Sequence, residues 1–258
     1  MNFTLNLLVL TLGLFAGMLL LLEWGRRMGQ RRLLRDGEKA SEGDSAVNGA
    51  IFALMGLLIA FTFSGAASRL DARRNLIVEE ANAIGTAYLR LDLLSPVARE
   101  SLKEQFRRYA DTRLETYRHW EFREAVSVNM SKTLELQNEI WRSAVAACRA
   151  ETGQPACMLL LPALNAMIDI TSTRSVASIT HPPSIIFAML LLFTLAGSVL
   201  AGFGMAGNKT RNWTHMLAFA ATLSFAIYVT LDLEFPRLGL IRLNDYDQVL
   251  VDVRASMK

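Results

Sequence analysis

Residues 46 to 67 have the sequence AVNGAIFALMGLLIAFTFSGAA, which contains no Asp, Glu, Lys or Arg. A helix needs roughly 20 predominantly apolar residues to cross a hydrocarbon core of about 30 Å. The run also lacks the alternation of apolar and polar positions that a membrane β-strand shows. This stretch therefore predicts a transmembrane helix.

Three other stretches are equally free of charged residues: the first 22 positions, 182 to 208 and 212 to 231. The first is not typical of a secretory signal peptide, because no basic residue precedes it and it exceeds the usual apolar core of about 7–15 residues. With 52% hydrophobic and 20% charged residues, the chain is too apolar for an ordinary soluble domain. We predict four spans, at about 3–22, 46–67, 184–205 and 213–231.

Residues 68–181 differ from the spans, because they carry 15 Lys and Arg and 14 Asp and Glu. No proline interrupts the chain between 46 and 94, and the apolar positions that follow the second span keep a helical spacing. Those positions are Leu70, Ile77, Ala81, Ile84, Tyr88 and Leu91. We expect one helix from about 46 to 94, roughly 70 Å long at 1.5 Å per residue. Three more helices are expected, at about 97–124, 132–149 and 156–179.

The predicted fold is therefore all-α, a four-helix polytopic membrane protein with a helical extramembrane domain between spans two and three. We divide the chain into a first transmembrane hairpin (1–67), the helical domain (68–181), and a second transmembrane hairpin with a C-terminal tail (182–258).

The orientation follows from the basic residues of the short loops, which favour the cytoplasmic side. Residues 23–45 contain six Lys and Arg and residues 206–212 contain two, whereas none precedes the first span. We expect a multi-pass protein of the cell membrane, or of the inner membrane in a Gram-negative cell. Both termini and residues 68–181 would then lie outside the cytoplasm. The basic residues of the first loop orient the chain, so the net charge of +3 does not indicate a nucleic-acid partner.

The only two cysteines, Cys148 and Cys157, both fall in the helical domain. An oxidising compartment would allow them to form a disulfide. The alternative is two small hydrophobic residues near a helix end.

Sequence motifs of catalysis are absent from the chain. It has three histidines, and neither a His-Glu-x-x-His nor a Cys-x-x-Cys pair exists to build a zinc site. A phosphate-binding Gly-x-x-x-x-Gly-Lys-Ser/Thr loop and a Gly-x-Ser-x-Gly elbow are missing as well. We predict no enzyme, no catalytic residue, no metal and no cofactor.

Charged residues cluster where spans two and four end. The charged residues that follow span two could line an ion path if copies of the helix surrounded a common axis. Alternatively, they could form local ion pairs on a helix that faces water. The acidic residues that follow span four, Asp232 and Glu234, are expected to form structural ion pairs with Arg69, Arg73 or Arg174. The full candidate set is Arg69, Asp71, Arg73, Arg74, Glu79, Glu80, Arg174, Asp232, Glu234 and Arg237.

Five residues of the second span lie near one stripe of the helix: Asn48, Phe52, Met55, Ile59 and Phe63. In an oligomer this stripe could line a pore with an apolar constriction, which can close by dewetting. Ordinary helix packing predicts the same stripe. A pore would also require symmetric assembly, because four helices can hardly enclose one.

Six stretches have distinctive sequences: FTFS at 61–64, DARR at 71–74, VEEANAIGTAYLR at 78–90, TRS at 173–175, HPP at 181–183 and LDLEFPRLGLIR at 231–242. Together they make nearly the whole chain resemble the bestrophin-like membrane family, which implies a four-span protein. The relation to true bestrophins, which are pentameric anion channels with a calcium clasp, is more distant. Bestrophins hold both termini and their helical domain in the cytoplasm, against the orientation argued above. The sequence has no acidic cluster resembling the clasp, so the resemblance implies no calcium site.

The layout, the long second helix and the resemblance predict an oligomeric membrane channel that conducts ions. Its partners would be the lipid bilayer, other copies of the chain and the ions. The alternative is a non-conducting membrane scaffold or sensor whose 68–181 domain binds a partner.

Overall fold

The computed structural model describes residues 3–36, 44–150, 154–208 and 210–258, which form eight α-helices and, within these ranges, no strand. The helices are α1 (Phe3–Asp36), α2 (Asp44–Arg90), α3 (Pro96–Arg118), α4 (Arg123–Ala150), α5 (Gln154–Ile179), α6 (Ser184–Gly204), α7 (Trp213–Glu234) and α8 (Asn244–Ser256). Four helical stretches are long and apolar enough to cross a membrane: Phe3–Arg35, Ala46–Leu93, Pro155–Gly204 and Trp213–Glu234. The prediction of an all-α protein with four spans is confirmed.

The second helix continues through the predicted span and far beyond it. α2 has 47 residues, which corresponds to roughly 70 Å, and a 3₁₀ turn at Leu91–Leu93 follows it. Pro96 then occupies the first turn of α3, where its missing N–H costs no helical hydrogen bond. The C-terminal helix α8 (Asn244–Ser256) was not predicted, because the prediction gave only a C-terminal tail there.

The chain divides into two compact units. The first unit contains Met1–Leu70 and His181–Ile241, and the second contains Asp71–Thr180 and Arg242–Lys258. The last 17 residues therefore group with the charged helical region, whereas the predicted boundaries placed them with the second transmembrane hairpin.

Glycines bring α1 and α6 together in the first unit. A Cβ added at Gly25 would lie 2.1 Å from the carbonyl oxygen of Val199, and one at Gly202 would lie 2.0 Å from that of Leu22. Backbones can approach this closely only where no side chain intervenes. Gly17 lies near Leu195 and Gly29 near Ala206, so contacts advance in the same direction along both helices and α1 and α6 run parallel.

α7 runs antiparallel to α1 and parallel to α2. Thr4 donates to the carbonyl oxygen of Leu238 at 3.0 Å, and Phe52 packs edge-on against Phe219. One end of the unit therefore contains the start of α1, the end of the apolar part of α2, the segment before α6 and the end of α7. The core between these helices is apolar and includes Met18, Leu22, Leu190, Met216, Ala220 and Ile227.

The second unit packs α3, α4, α5 and α8 with the C-terminal part of α2. Its core contains a polar group in which Tyr109 lies 3.0 Å from Thr171, and Gln137 donates to both side chains. Tyr88 donates to the carbonyl oxygen of Lys258 at 2.6 Å. The structure joins Cys148 of α4 and Cys157 of α5 by a disulfide, with their Cα atoms 5.8 Å apart.

Candidate functional site

One face of α2 is exposed along the whole predicted span. Most residues of its central strip are small or carry a hydroxyl, Leu57 and Phe61 are large and 50% and 67% exposed, and the large exposed residues Val47, Leu54 and Phe63 border the strip. The face comprises Ala46, Ala50, Ala53, Leu57, Ala60, Phe61, Ser64 and Ser68. Beyond this stretch the helix presents exposed polar residues at the same spacing: Asp71, Asn75, Asn82 and Thr86.

The exposed face of α1 has a different composition. Its outward residues are bulky and apolar, including Leu5, Val9, Leu12 and Leu20, as expected of a surface that contacts lipid tails. Small and hydroxyl-bearing residues are instead typical of surfaces where membrane helices meet, since they allow close backbone approach. The outward face of α2 is thus better suited to protein or water than to lipid.

The stripe predicted to line a pore lies mostly on the packed side of α2. Met55 is only 5% exposed and meets Gly197 of α6, Phe52 contacts Phe219 of α7, and Ile59 packs against the core of the first unit. Asn48 is half-buried, and only Phe63 is exposed. The helical spacing of these residues therefore reflects mainly a buried face of α2, which α6 and α7 of the same subunit cover.

Glu234 is the centre of a polar cluster at the end of α7. Its carboxylate is fully buried and accepts hydrogen bonds from Nε and Nη2 of Arg69, at 2.8 to 3.1 Å. Nδ1 of His181 lies 2.9 Å from Oε1 of Glu234, and the His181 ring packs on Phe235. The pairing with Arg69 is of the structural kind that the sequence predicted for this cluster.

Asp232 organises the turn that follows α7. Its carboxylate accepts the backbone N–H groups of Leu240 at 2.9 Å and Ile241 at 2.8 Å. Gly239 is required at this point, because a Cβ there would lie 1.8 Å from Oδ1 of Asp232. The segment from 235 to 241 therefore folds back onto the end of its own helix.

Glu80 is the centre of a second buried cluster, which joins α2, α3 and α5. Its carboxylate accepts hydrogen bonds from Nε of Arg113 at 2.6 Å, from the hydroxyl of Tyr117 at 2.9 Å and from Arg174. The Arg174 guanidinium also lies over the Tyr117 ring, 4.0 Å from its centre. Two guanidinium groups thus share one carboxylate with almost no access to water.

Burial and charge oppose each other in this cluster. Desolvation would raise the pKa of Glu80, but the attraction of Arg113 and Arg174 outweighs it and holds that pKa below its ordinary value. Burial, followed by the nearby Glu80 charge, raises the pKa of Tyr117. Glu80 is therefore ionised and Tyr117 is neutral, so the phenol donates its hydrogen to the carboxylate.

The remaining charged candidates are dispersed. Arg73 donates to the backbone carbonyl oxygens of Ala177 and Thr180, and Arg74 pairs with Asp71 at 3.0 Å. Glu79 is exposed. Arg237 also has an interaction within the described residues. Within one subunit, the charged candidates therefore form two separate clusters and several local contacts.

A protein-family model, the Bestrophin-like domain, matches residues 12–245. The chain belongs to the bestrophin-like family. Its fold is shared with crystal structures of a bacterial bestrophin homolog from Klebsiella pneumoniae. One is 14% identical, with 92% of this chain and 97% of that chain covered and a TM-score of 0.68. A tryptophan-to-alanine variant of that homolog is 15% identical, with coverages of 95% and 98% and a TM-score of 0.69. Comparison with curated protein sequences finds no significant match.

The distinctive stretches of this bestrophin-like chain meet in pairs in the structure. The VEEANAIGTAYLR stretch supplies Glu80 and the TRS stretch supplies Arg174, which are bonded to each other. The HPP stretch supplies His181 and the LDLEFPRLGLIR stretch supplies Glu234, which are also in contact. These stretches therefore hold distant helices together.

Three members of the two buried clusters were not among the predicted site residues of this bestrophin-like sequence: Arg113, Tyr117 and His181. The sequence does indicate that Glu80 is buried, because it lies on the same helical face as the apolar Ile77 and Ile84. A charge on an apolar stripe requires a buried partner. No comparable pattern marks His181. Within the ranges that the structure describes, no three His, Cys, Asp or Glu side chains gather as a metal site would require.

Proposed function

We propose that the chain is the subunit of an oligomeric ion channel in a cell membrane. The outward face of α2, from Ala46 to Ser68, borders the conduction path and neighbouring copies of the chain. The observation that carries the proposal is the composition of this face. Its central strip is mostly alanine and serine, whereas most exposed residues of α1 within the span are bulky and apolar. Membership of the bestrophin-like family supports the same function.

The path must lie between subunits rather than inside one. The packed side of α2 is filled by residues such as Met55, which contact α6 and the core. A ring of identical α2 helices about a symmetry axis would instead enclose the outward faces.

Leu57 and Phe61 form the narrow part of the proposed path. They are the large side chains of a strip that otherwise consists of alanine and serine, and they are one helical turn apart. Rings of apolar side chains can stop ion flow by excluding water. The smaller Ser64 and Ser68 follow them toward the end of the span.

The test is recording from planar bilayers with the purified full-length protein and single cysteine substitutions. The Ser64→Cys variant is expected to lose current when a charged, membrane-impermeant thiol reagent is added, because the adduct occupies the path. The Val9→Cys variant is the matched control on the lipid-facing side of α1, and its current should not change. Wild type treated with the reagent controls for Cys148 and Cys157.

Two outcomes would contradict the proposal. A well-folded protein that stays silent at every voltage and pH would argue against conduction. A monomer that co-purifies with another protein would favour the scaffold or sensor instead. Equal effects of the reagent on the Ser64→Cys and Val9→Cys variants would reject only the placement of the path on α2.

In the proposed orientation, both termini and residues 68–181 lie outside the cytoplasm. The basic residues of the first loop support it, and a Cys148–Cys157 disulfide suits an oxidising compartment. Alkaline phosphatase fused after Lys258 should be active in intact cells, whereas green fluorescent protein at the same point should be dark. The opposite pattern would place the helical domain in the cytoplasm, as in bestrophins.

A further inference from the structure

We propose that the channel selects cations over anions, and that Glu79 of α2 and Asp169 of α5 are the residues that select them. This inference rests on the proposed function, because it names the class of ion that the path along α2 conducts. The residues concerned lie in the second unit, where α2 and α5 are neighbours.

The outward side of α2 continues beyond the span as a row of polar residues. Five exposed residues follow one another at steps of four, four, three and four: Asp71, Asn75, Glu79, Asn82 and Thr86. Residues at this spacing share one side of a helix. Because α2 is one continuous helix, the side that borders the proposed path within the span is also the side that carries this row.

α5 presents a second exposed row. Its members follow at steps of three, four, three and four: Pro162, Asn165, Asp169, Ser172 and Val176. Between residues 155 and 179, all of which the structure describes, Asp169 is the only exposed charged residue. The row is therefore mostly uncharged, with one carboxylate near its middle.

α2 and α5 run antiparallel. Arg73 donates to the carbonyl oxygen of Ala177 at 3.1 Å, and farther along α2 Arg90 donates to that of Leu159. Residue numbers therefore rise along one helix while they fall along the other. The middle parts of the two exposed rows, which carry the two carboxylates, lie at a similar level along the helix pair.

Both carboxylates face the same side of this helix pair. Glu80 contacts α5 and lies about 100° beyond Glu79 around the axis of α2. Its partner Arg174 lies about 140° beyond Asp169 around the axis of α5. In two antiparallel helices, the same sense of rotation from the exposed to the contacting residue directs both exposed rows to one side.

The four arginines of residues 71–90 and 155–179 all have partners. Arg74 pairs with Asp71 at 3.0 Å, and Arg174 is buried against Glu80. The other two donate to backbone carbonyl oxygens of α5. The same residues include four acidic ones, so the net charge of the two stretches is zero and the two signs differ in position.

Glu79 and Asp169 are the acidic residues left over from this pairing. Both are exposed, and neither side chain has an ion pair or a hydrogen bond with the residues that the structure describes. An ion in the adjacent water can therefore approach these carboxylates directly, whereas the guanidinium groups are held in contacts within the protein. Symmetric assembly would repeat both carboxylates in every subunit, and rings of Asp or Glu favour cations.

The exposed surfaces of α3 and α4 do not show this separation of charge. They expose basic residues among acidic ones: Arg108, Arg118, Lys132, Arg142 and Arg149. Within 71–90 and 155–179, both described throughout, no Lys or Arg is exposed to that degree. The sorting by sign is thus particular to the side of the unit formed by α2 and α5.

The test measures reversal potentials of the purified full-length protein in planar bilayers under a KCl gradient. Wild type should pass K⁺ more readily than Cl⁻. The test variant combines Glu79→Gln with Asp169→Asn, which removes both charges and keeps the side-chain sizes. Its ratio of K⁺ to Cl⁻ permeability should fall at least about threefold. The matched control, Glu124→Gln with Glu135→Gln, removes two exposed carboxylates of α4 and should keep the wild-type ratio.

Salt provides a second measurement, which needs no variant. The Debye length falls from about 10 Å at 0.1 M to about 3 Å at 1 M salt, so the wild-type ratio should approach one as both solutions are concentrated. A wild-type ratio of one or less would overturn the proposal, as would equal ratios in wild type and the test variant. A wild type that conducts no ions would instead reject the channel itself.

Discussion

The carboxylate of Glu234 accepts two parallel hydrogen bonds from Arg69, a residue 165 positions earlier in the chain. The pair joins α2, just after its apolar part, to the end of α7, and the carboxylate is completely buried. A buried ion pair need not stabilise a fold more than apolar residues would, but removing one partner leaves an uncompensated charge. The Glu234 and Glu80 clusters therefore connect helices that are distant in sequence.

Removing the cation from this pair should destabilise the first unit. The Arg69→Met variant removes the cation that pairs with the buried Glu234 carboxylate, and we expect a loss of about 3 kcal/mol. Thermal unfolding in detergent would measure it. The Arg118→Met control removes an exposed pair with Glu115 and should cost no more than about 1 kcal/mol. Similar losses in the two variants would contradict the role of burial.

Glu79 and Glu80 provide a matched comparison on adjacent residues. The Glu80→Gln variant removes the charge that compensates Arg113 and Arg174, so it should destabilise the protein by about 3–5 kcal/mol. Glu79 is exposed, and Glu79→Gln should change stability by less than about 0.5 kcal/mol. Chemical denaturation of both variants under identical detergent conditions would measure the difference. A stable Glu80→Gln protein would show that the cluster is dispensable.

The same carboxylate predicts a pH dependence. The pKa of Glu80 is lower in the folded protein than its ordinary value of 4.5, so the unfolded state binds the proton more readily. The stabilisation by Glu80 is therefore complete above pH 4.5 and is lost as the pH falls through its lower folded value. Melting temperatures across this acidic range should fall more steeply for wild type than for Glu80→Gln. Parallel curves would contradict the assignment.

Two glycines of α1 should respond oppositely to the same substitution. In Gly25→Ala, the added Cβ would lie 2.1 Å from the Val199 carbonyl oxygen, so α1 and α6 must separate. In Gly13→Ala, no atom lies within 4 Å of the added Cβ, and alanine favours the helix by up to about 1 kcal/mol. We expect a lower melting temperature for Gly25→Ala and an equal or higher one for Gly13→Ala. A neutral Gly25→Ala would contradict the close contact.

The proposed constriction predicts a gain of conduction. Replacing Leu57 by serine would make the narrow part of the path easier to wet, so open probability or conductance should rise at least severalfold in bilayer recordings. The control is Leu12→Ser, which places the same polar group on the lipid-facing side of α1 and should leave current per channel unchanged. Unaltered current in Leu57→Ser would show that Leu57 does not form the constriction.

Sequence alone was sufficient for the elements whose causes are local. The length of an apolar run decides whether a helix can span the membrane, and 46–67 has that length whatever surrounds it. Periodicity and the absence of proline likewise predicted that α2 continues beyond the span. α8 was missed, because nothing in a short terminal segment indicates what it packs against.

Only the tertiary structure decided which side of α2 is free and which charges meet. Periodicity groups Phe52, Met55 and Ile59 on one face, but a core and an apolar pore wall have the same composition. The positions of α6 and α7 show that this face is packed. In the same way, Glu79 and Glu80 are chemically identical in the sequence. The rotation of about 100° between successive residues of a helix turns Glu80 to the interior, where Arg113 and Arg174 arrive from other helices.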